Sequence, residues 1–106
     1  GYYAIGVDSD QDHLAPGSVL TSMMKRVDNA VFDVCKRVAE RRFTSGTIVY
    51  GVKEKGVGLS PMRFTRRLVP QPVMAKVAKL EQMIVQGKVV PPYNEQTFQA
   101  FRPPKV

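Results

Sequence analysis

The chain has 106 residues, of which 43% are hydrophobic and 24% are charged, and its formal net charge is +7. This length suits one modest domain, and the composition is that of an ordinary globular protein rather than a disordered one. No apolar run is long enough to span a membrane, and the opening Gly-Tyr-Tyr lacks the basic start of a signal peptide, so an export signal is expected upstream. A single cysteine, Cys35, excludes an internal disulfide and a multi-cysteine metal site.

The first predicted element is a strand over residues 2–7, an apolar run without polar alternation. Such a run is typical of a strand buried on both faces of a parallel sheet. It stops at Asp8, so an acidic residue stands at the carboxyl end of a buried strand. Ligands of open α/β sheets bind at that edge.

A short β-prone segment follows at residues 18–22 and is predicted as a second strand or a crossover. The clearest helix comes next, with Ser22 as its predicted N-cap and Asp28 in its first turn. Its apolar stripe recurs at helical spacing and consists of Val27, Ala30, Val31, Val34, Cys35 and Val38. Cys35 is therefore expected to be a buried, inert side chain.

The middle of the chain predicts a hairpin-like excursion. Residues 47–50 are β-branched and aromatic and are predicted as a strand, residues 51–55 as a turn, and residues 57–59 as the second arm. Residues 61–71 are predicted as a basic loop.

The closing part predicts one more helix. Pro72 suits its first turn, and Gly87 is a natural residue to end it. Residues 88–90 are predicted as a short final strand. The tail, residues 91–106, holds four of the chain's eight prolines and is expected to be extended, docked or frayed.

The acidic run that begins at Asp8 first suggests a calcium loop. Its sixth and twelfth positions are His13 and Val19, where an EF-hand needs glycine and glutamate. A loose Mg²⁺ or Ca²⁺ site made by Asp8, Asp10 and Asp12 stays an alternative. For Asp10 and Asp12 we favour the capping or solvation of a loop.

Catalytic patterns are weak. His13 is the only histidine and has no nucleophile or carboxylate at a recognisable spacing. The G-x-G at residues 56–58 lacks a third glycine and precedes no helix, so it is interpreted as hairpin geometry. No catalytic residue, metal or cofactor is predicted, and the chain is not expected to be an enzyme.

Two charged residues are candidates for ligand binding. Asp8 directly follows the first strand, where a carboxylate can accept two hydrogen bonds from a vicinal diol such as that of ribose. Lys25 stands just before the main helix, where its ammonium can donate to a ligand hydroxyl. The pattern alone also fits a capping carboxylate and a solvated lysine.

Three segments, in order, resemble the basic membrane protein (purine nucleoside receptor A) family. Residues 5–11 read I-G-V-D-S-D-Q and resemble its G-V-D-x-D-Q signature. Residues 19–27 resemble its V-L-T-S-x-x-K-x-V segment, and residues 50–60 resemble its Y-G-L-K-E-G-G-V-G-L motif. Lys55 departs from the pattern, because the family commonly has glycine there; a lysine is tolerable if the position does not require a positive φ.

The resemblance implies an α/β chain that forms the C-terminal part of a periplasmic-binding-protein type I fold, a two-lobed, parallel-sheet architecture. Residues 1–90 would belong to the solute-binding domain and residues 91–106 would be a Pro-rich tail. It implies the solute-binding component of an ABC importer, a periplasmic or cell-surface lipoprotein whose partners are a purine nucleoside and the transporter permease.

Site residues follow from the same resemblance. Asp8 would bind the ribose hydroxyls and Lys25 would also contact the sugar. Ser22 and Gly51 would be nearby supporting positions. The family's first lobe and its base-stacking aromatics lie upstream of the matched segments.

A cleft receptor needs both of its walls to desolvate a ligand. The isolated chain is therefore expected to bind nucleoside poorly, and to self-associate or to require an upstream partner chain. The alternative function is a small basic nucleic-acid-binding domain or an uncharacterised α/β domain, and it depends on the net charge of +7 alone. Nucleic acid is not expected as a partner, because aromatic residues do not interleave with the basic ones.

Overall fold

A three-stranded sheet organises the first part of the chain. Its strands are β1 (Ala4–Asp8), β2 (Val19–Lys25) and β3 (Val57–Leu59), in the order β1-β2-β3. β1 lies parallel to β2, whereas β3 lies antiparallel to it. Together with its helices, this sheet confirms the predicted α/β class, although one of its two strand pairs is antiparallel.

The structure is a computed structural model that describes all 106 residues. The chain divides into two units, Gly1–Leu68 and Val69–Val106. The first unit contains the sheet and helix α1 (Val27–Ala39), and the second contains α2 (Gln71–Val85) and α3 (Glu95–Ala100). None of these helices is both long and apolar enough to cross a membrane.

The parallel pairing of β1 and β2 brings their carboxyl ends to one edge of the sheet. Asp8, the last residue of β1, is in register with Met24. Lys25 follows Met24 and ends β2, where it is in register with Val57 of β3. The two charged residues singled out in the sequence are thus neighbours at the end of adjacent strands.

The faces of β1 are open. Only Gly6 of this strand is buried, and Ile5 and Val7 are exposed together with Tyr3 just before it. The expectation of a strand buried on both faces is therefore wrong for this chain, because α1 makes no extensive contact with β1. An apolar run indicates what a strand needs to bury and does not say which part of a protein covers it.

The same holds for α1. Its predicted stripe is present, but no residue of the helix is buried and Cys35 is exposed, so the expected burial of this thiol is wrong. Ala30, Val31, Val34 and Cys35 line a shallow apolar groove. The helix begins at Val27 without a side-chain cap, and the predicted N-cap, Ser22, lies inside β2 instead.

Two charged residues at the start of α1 bind each other. Arg26 donates from Nε to Asp28 Oδ1 over 3.0 Å and from Nη2 to Oδ2 over 2.7 Å. This hydrogen bonding lowers the pKa of Asp28 to about 2 and raises that of Arg26. Asp28 lies in the first turn, as predicted, where a negative charge favours the helix dipole.

The predicted hairpin is not formed. Residues 47–50 form no strand, because no other segment pairs with them, and β3 pairs with β2 instead. The predicted turn is present: the Gly56 amide donates to the Gly51 carbonyl over 2.9 Å. Gly56 passes so close to residue 50 that an added Cβ would stand 2.6 Å from the Tyr50 carbonyl oxygen.

The second unit begins as predicted, with Pro72 in the first turn of α2. Gly87 ends this helix with φ of 71°, and the amides of Gly87 and Lys88 bind the carbonyls of Ile84 and Met83, which is a Schellman motif.

The end of the chain differs from the prediction in two places. Residues 88–90 form no strand. The tail contains helix α3, which was not predicted because the prolines on both sides of it indicated an extended segment. Asn94 and Thr97 close a capping box at its start.

Lys55 has φ of 57°, so this position does require the left-handed conformation that glycine adopts without strain. We predict that Lys55→Gly stabilises the first unit by about 0.5–1 kcal/mol, measured by urea unfolding. Lys53→Gly is the matched control, because Lys53 is exposed in the same turn without a positive φ, and we expect no gain from it. Equal effects of the two substitutions would contradict the prediction.

Candidate functional site

An ion pair marks the carboxyl edge of the parallel strands. Lys25 Nζ lies 3.0 Å from Asp8 Oδ1, and the two side chains are 60% and 68% exposed. A pair this exposed stabilises a fold little, because water competes for both charges. Both groups are therefore accessible and can exchange their contact with each other for contacts with a ligand.

The backbone at Asp8 is strained. Its φ is 72°, and across it the Ser9 amide donates to the Val7 carbonyl over 3.0 Å. A hydrogen bond between residues two apart around a positive φ is a γ-turn of the rare kind. A left-handed residue other than glycine costs about 1–3 kcal/mol, although aspartate tolerates the region better than most. Strain of this kind concentrates at functional sites.

Gln11 spans this turn from one side to the other. Its side-chain Oε1 accepts a hydrogen bond of 3.0 Å from the Val7 amide, before the turn. Its own amide donates to Ser22 Oγ over 3.0 Å, beyond the turn. The loop that carries Asp8 is thus closed on itself and attached to β2.

A buried cluster of hydroxyls around one carboxylate lies beneath the loop. Asp12, 1% exposed, accepts from Ser22 Oγ at 2.8 Å and from Ser60 Oγ at 2.7 Å. Ser60 Oγ also accepts from the Ser22 amide at 2.9 Å, and it lies 3.0 Å from Thr21 Oγ1. Because the Ser60 proton points at Asp12, Thr21 is the donor in that last contact.

This cluster corrects one prediction and confirms another. Asp12 neither caps nor solvates a loop; it is buried, forms no ion pair, and holds two serines from different segments. Asp10 does cap, since its Oδ1 accepts from the Asp12 amide at 3.0 Å. The alternative metal site is not formed, because Asp8, Asp10 and Asp12 have separate partners and no three His, Cys, Asp or Glu side chains lie together.

The two supporting positions inferred from the resemblance lie in different settings. Ser22 is 0% exposed, so its hydroxyl serves the buried cluster beneath Asp8 and Lys25. Gly51 is half-buried in the turn before β3, and its amide donates to Glu54 Oε2 over 2.8 Å.

The segment before Gly51 is attached to α1 by a shared acceptor. Asp33 Oδ2 accepts from the Tyr50 hydroxyl at 2.7 Å and from Arg37 Nε at 2.8 Å. The hydrogen bond from Tyr50, with the nearby Arg37 charge, lowers the pKa of Asp33. The same hydrogen bond raises the pKa of Tyr50, because ionisation of the phenol would remove its proton from the contact.

Close packing explains the glycine in the first motif. A Cβ on Gly6 would stand 2.6 Å from Ser22 Oγ and 2.8 Å from Gln11 Oε1, so any other residue would displace the two side chains that attach the loop to β2. The motif at residues 5–11 ends with Gln11, but the sequence alone indicates no role for this residue. Sequence reasoning missed Ser60, which is 48 residues from Asp12, because no local spacing relates the two.

An exposed carboxylate and an ammonium stand together at the carboxyl edge of the parallel strands, the edge at which ligands of open α/β sheets bind. Two solved structures have folds similar to this chain. A solute-binding protein of an ABC transporter system from Aeropyrum pernix K1 matches with a TM-score of 0.60 and 28% identity, over 92% of this chain and 35% of that one. The structure of a transcriptional activator of the comK gene from Bacillus halodurans matches with a TM-score of 0.73 and 29% identity, over 84% of this chain and 30% of that one.

The chain belongs to the Bmp family, described as ABC transporter substrate-binding protein PnrA-like, whose model matches residues 1–95. Basic membrane protein D of Borreliella burgdorferi (strain JD1) is 32% identical over 102 residues, 94% of this chain and 30% of the relative. Basic membrane protein A of Borreliella afzelii is 33% identical over 105 residues, 95% of this chain and 31% of the relative. The chain thus spans less than a third of the length of these relatives. The resemblance seen in the sequence is confirmed, and the family description is that of a substrate-binding protein.

The contact between Tyr50 and Asp33 predicts a measurable titration. In Asp33→Asn the pKa of Tyr50 should fall back toward its ordinary value of about 10, as followed by tyrosinate absorbance or by the NMR signal of the Tyr50 ring. Because the pKa of Tyr50 is raised in the folded state, its hydrogen bond to Asp33 contributes stability at neutral pH. This contribution is lost as the pH rises through the folded-state pKa of Tyr50. Asp28→Asn is the control and should leave Tyr50 unchanged; a Tyr50 titration that is the same in wild type and Asp33→Asn would contradict the contact.

Proposed function

We propose that the chain supplies the sugar-binding part of a solute-binding component of an ABC importer, and that the solute is a purine nucleoside held through its ribose. The observation that carries the proposal is the exposed Asp8 carboxylate, fixed by a γ-turn at the end of β1 and 3.0 Å from the Lys25 ammonium. The family description supports the transport role.

The chemistry of this pair suits a vicinal diol. Asp8 Oδ1 contacts Lys25 and Oδ2 is left to accept from a ligand hydroxyl. When a diol enters, each carboxylate oxygen accepts from one hydroxyl, while Lys25 turns to donate to a sugar oxygen. A hydrogen bond to a charged group contributes about 1.5–3 kcal/mol, so two of them can select a ribose over a sugar that lacks the diol.

The two supporting positions act at a distance from the sugar in this proposal. Ser22 holds the loop of Asp8 from below through the buried cluster. Gly51 presents the turn that precedes β3, the strand whose Val57 is in register with Lys25.

The open setting of Asp8 and Lys25 means that one wall of a cleft is provided elsewhere. We propose that the remainder of a longer polypeptide or a partner chain provides it and binds the base. The proposed location is periplasmic or at the cell surface as a lipoprotein, and the proposed partner is the transporter permease. Nucleic acid is not proposed, because aromatic residues do not interleave with the basic ones along the sequence.

We predict that adenosine shifts the NMR signals of Asp8 and Lys25 and that 2′,3′-dideoxyadenosine binds roughly tenfold or more weakly, because it lacks the diol that a charged acceptor binds. Asp8→Asn should abolish the preference for the ribonucleoside while keeping the fold, since asparagine also tolerates a positive φ.

Asp10→Asn is the matched control for this prediction. It removes the same charge from the same loop and keeps an oxygen to accept from the Asp12 amide. If the dideoxynucleoside binds as well as adenosine, or if Asp10→Asn matches Asp8→Asn, the ribose proposal is wrong.

We also predict that the chain self-associates in light scattering in a concentration-dependent manner. Ile5 and Val7 expose an apolar face on β1, and an exposed apolar patch favours association with another chain. Ile5→Glu should reduce the association, whereas Val49→Glu, at a valine outside the sheet that is more exposed than Ile5, should not. A wild-type chain that stays monomeric at every concentration would contradict this.

A further inference from the structure

We propose that Gln11 is a positioning residue that imposes the ligand-binding conformation of Asp8. The inference rests on the proposed function, because it concerns the same carboxylate. Gln11 forms no hydrogen bond with the Asp8 side chain, and in this proposal it does not contact the sugar.

The Val7 amide has no partner in the sheet and binds Gln11 instead. Backbone amides alternate sides along a strand, and the Ala4 amide points at β2, donating to the Ser18 carbonyl over 2.9 Å. The Val7 amide therefore points to the open side of β1. Gln11 Oε1 takes it at 3.0 Å, in the place that a further strand would otherwise occupy.

Gln11 is itself anchored. Its own amide donates to Ser22 Oγ, and the Ser22 hydroxyl in turn donates to the buried Asp12. Asp12 in turn holds Ser60. Gln11 therefore has a fixed base in the interior, and its side chain draws the end of β1 toward that base.

The path between the two anchors is short. Only Asp8, Ser9 and Asp10 lie between Val7 and Gln11, and the chain must reverse within them. The reversal is the γ-turn at Asp8, with φ of 72°. Without the Gln11 contact, the turn keeps only the Ser9–Val7 hydrogen bond and the exposed ion pair, which are too weak to hold Asp8 at a positive φ, and its carboxylate leaves the position beside Lys25.

Three substitutions of similar length separate the acceptor of Gln11 from its bulk. Gln11→Met removes the acceptor, Gln11→Glu keeps one, and Gln11→Lys is a second variant that can only donate. The backbone readout is the intraresidue amide–Hα NOE of Asp8, which is strong only when φ is positive. The ligand readout is adenosine affinity.

We expect a strong Asp8 NOE in the wild type and Gln11→Glu, and a weak one in Gln11→Met and Gln11→Lys. Adenosine affinity should fall by roughly tenfold in the latter two, because the binding-competent fraction falls by the same factor. A strong NOE in Gln11→Met or Gln11→Lys, or a weak one in Gln11→Glu, would overturn the role of Gln11. A wild type that has the NOE but whose Asp8 and Lys25 signals do not shift even at the highest soluble adenosine concentration would overturn the ribose proposal instead, so the two failures are distinguishable.

Discussion

A buried carboxylate without a cation holds the first unit of this chain together. Asp12 receives one hydroxyl from β2 and one from the residue after β3, and every buried side-chain polar atom has a partner. Burying a carboxylate without such donors costs several kcal/mol, so the two segments that contribute them must stay in place beside Asp12. A sheet of three strands with few buried apolar side chains, Val19 and Met62, thereby obtains a defined arrangement at one edge.

In the proposed function, this arrangement preorganises the site. The contacts of Gln11 and the buried cluster offset the backbone strain at Asp8 when the chain folds, before any ligand binds. A carboxylate already in place loses little conformational freedom on binding, so more of the free energy of each hydrogen bond would contribute to the affinity for the proposed sugar. Lys25 keeps the carboxylate paired in the meantime.

The sequence predicted this edge of the sheet well and its surroundings poorly. The sequence has Asp8 directly after a strand and Lys25 just before a periodic helix, and the structure shows that these two charged residues are neighbours at the carboxyl edge of the parallel strands. Burial failed because periodicity shows which face of β1 or α1 is apolar, and not what covers it. The pairing of β3 and the link from Asp12 to Ser60 depend on distant segments, which local patterns do not contain. Cap signals worked at Gly87, where a local motif determines the structure.

The most direct measurement is a crystal structure of the chain soaked with adenosine. We expect the two oxygens of Asp8 to lie within hydrogen-bond distance of the 2′ and 3′ hydroxyls of the ribose. The φ angle of Asp8 should still be positive, and Lys25 should donate to a sugar oxygen. A sugar bound away from this edge, or an Asp8 carboxylate that faces no hydroxyl, would contradict it.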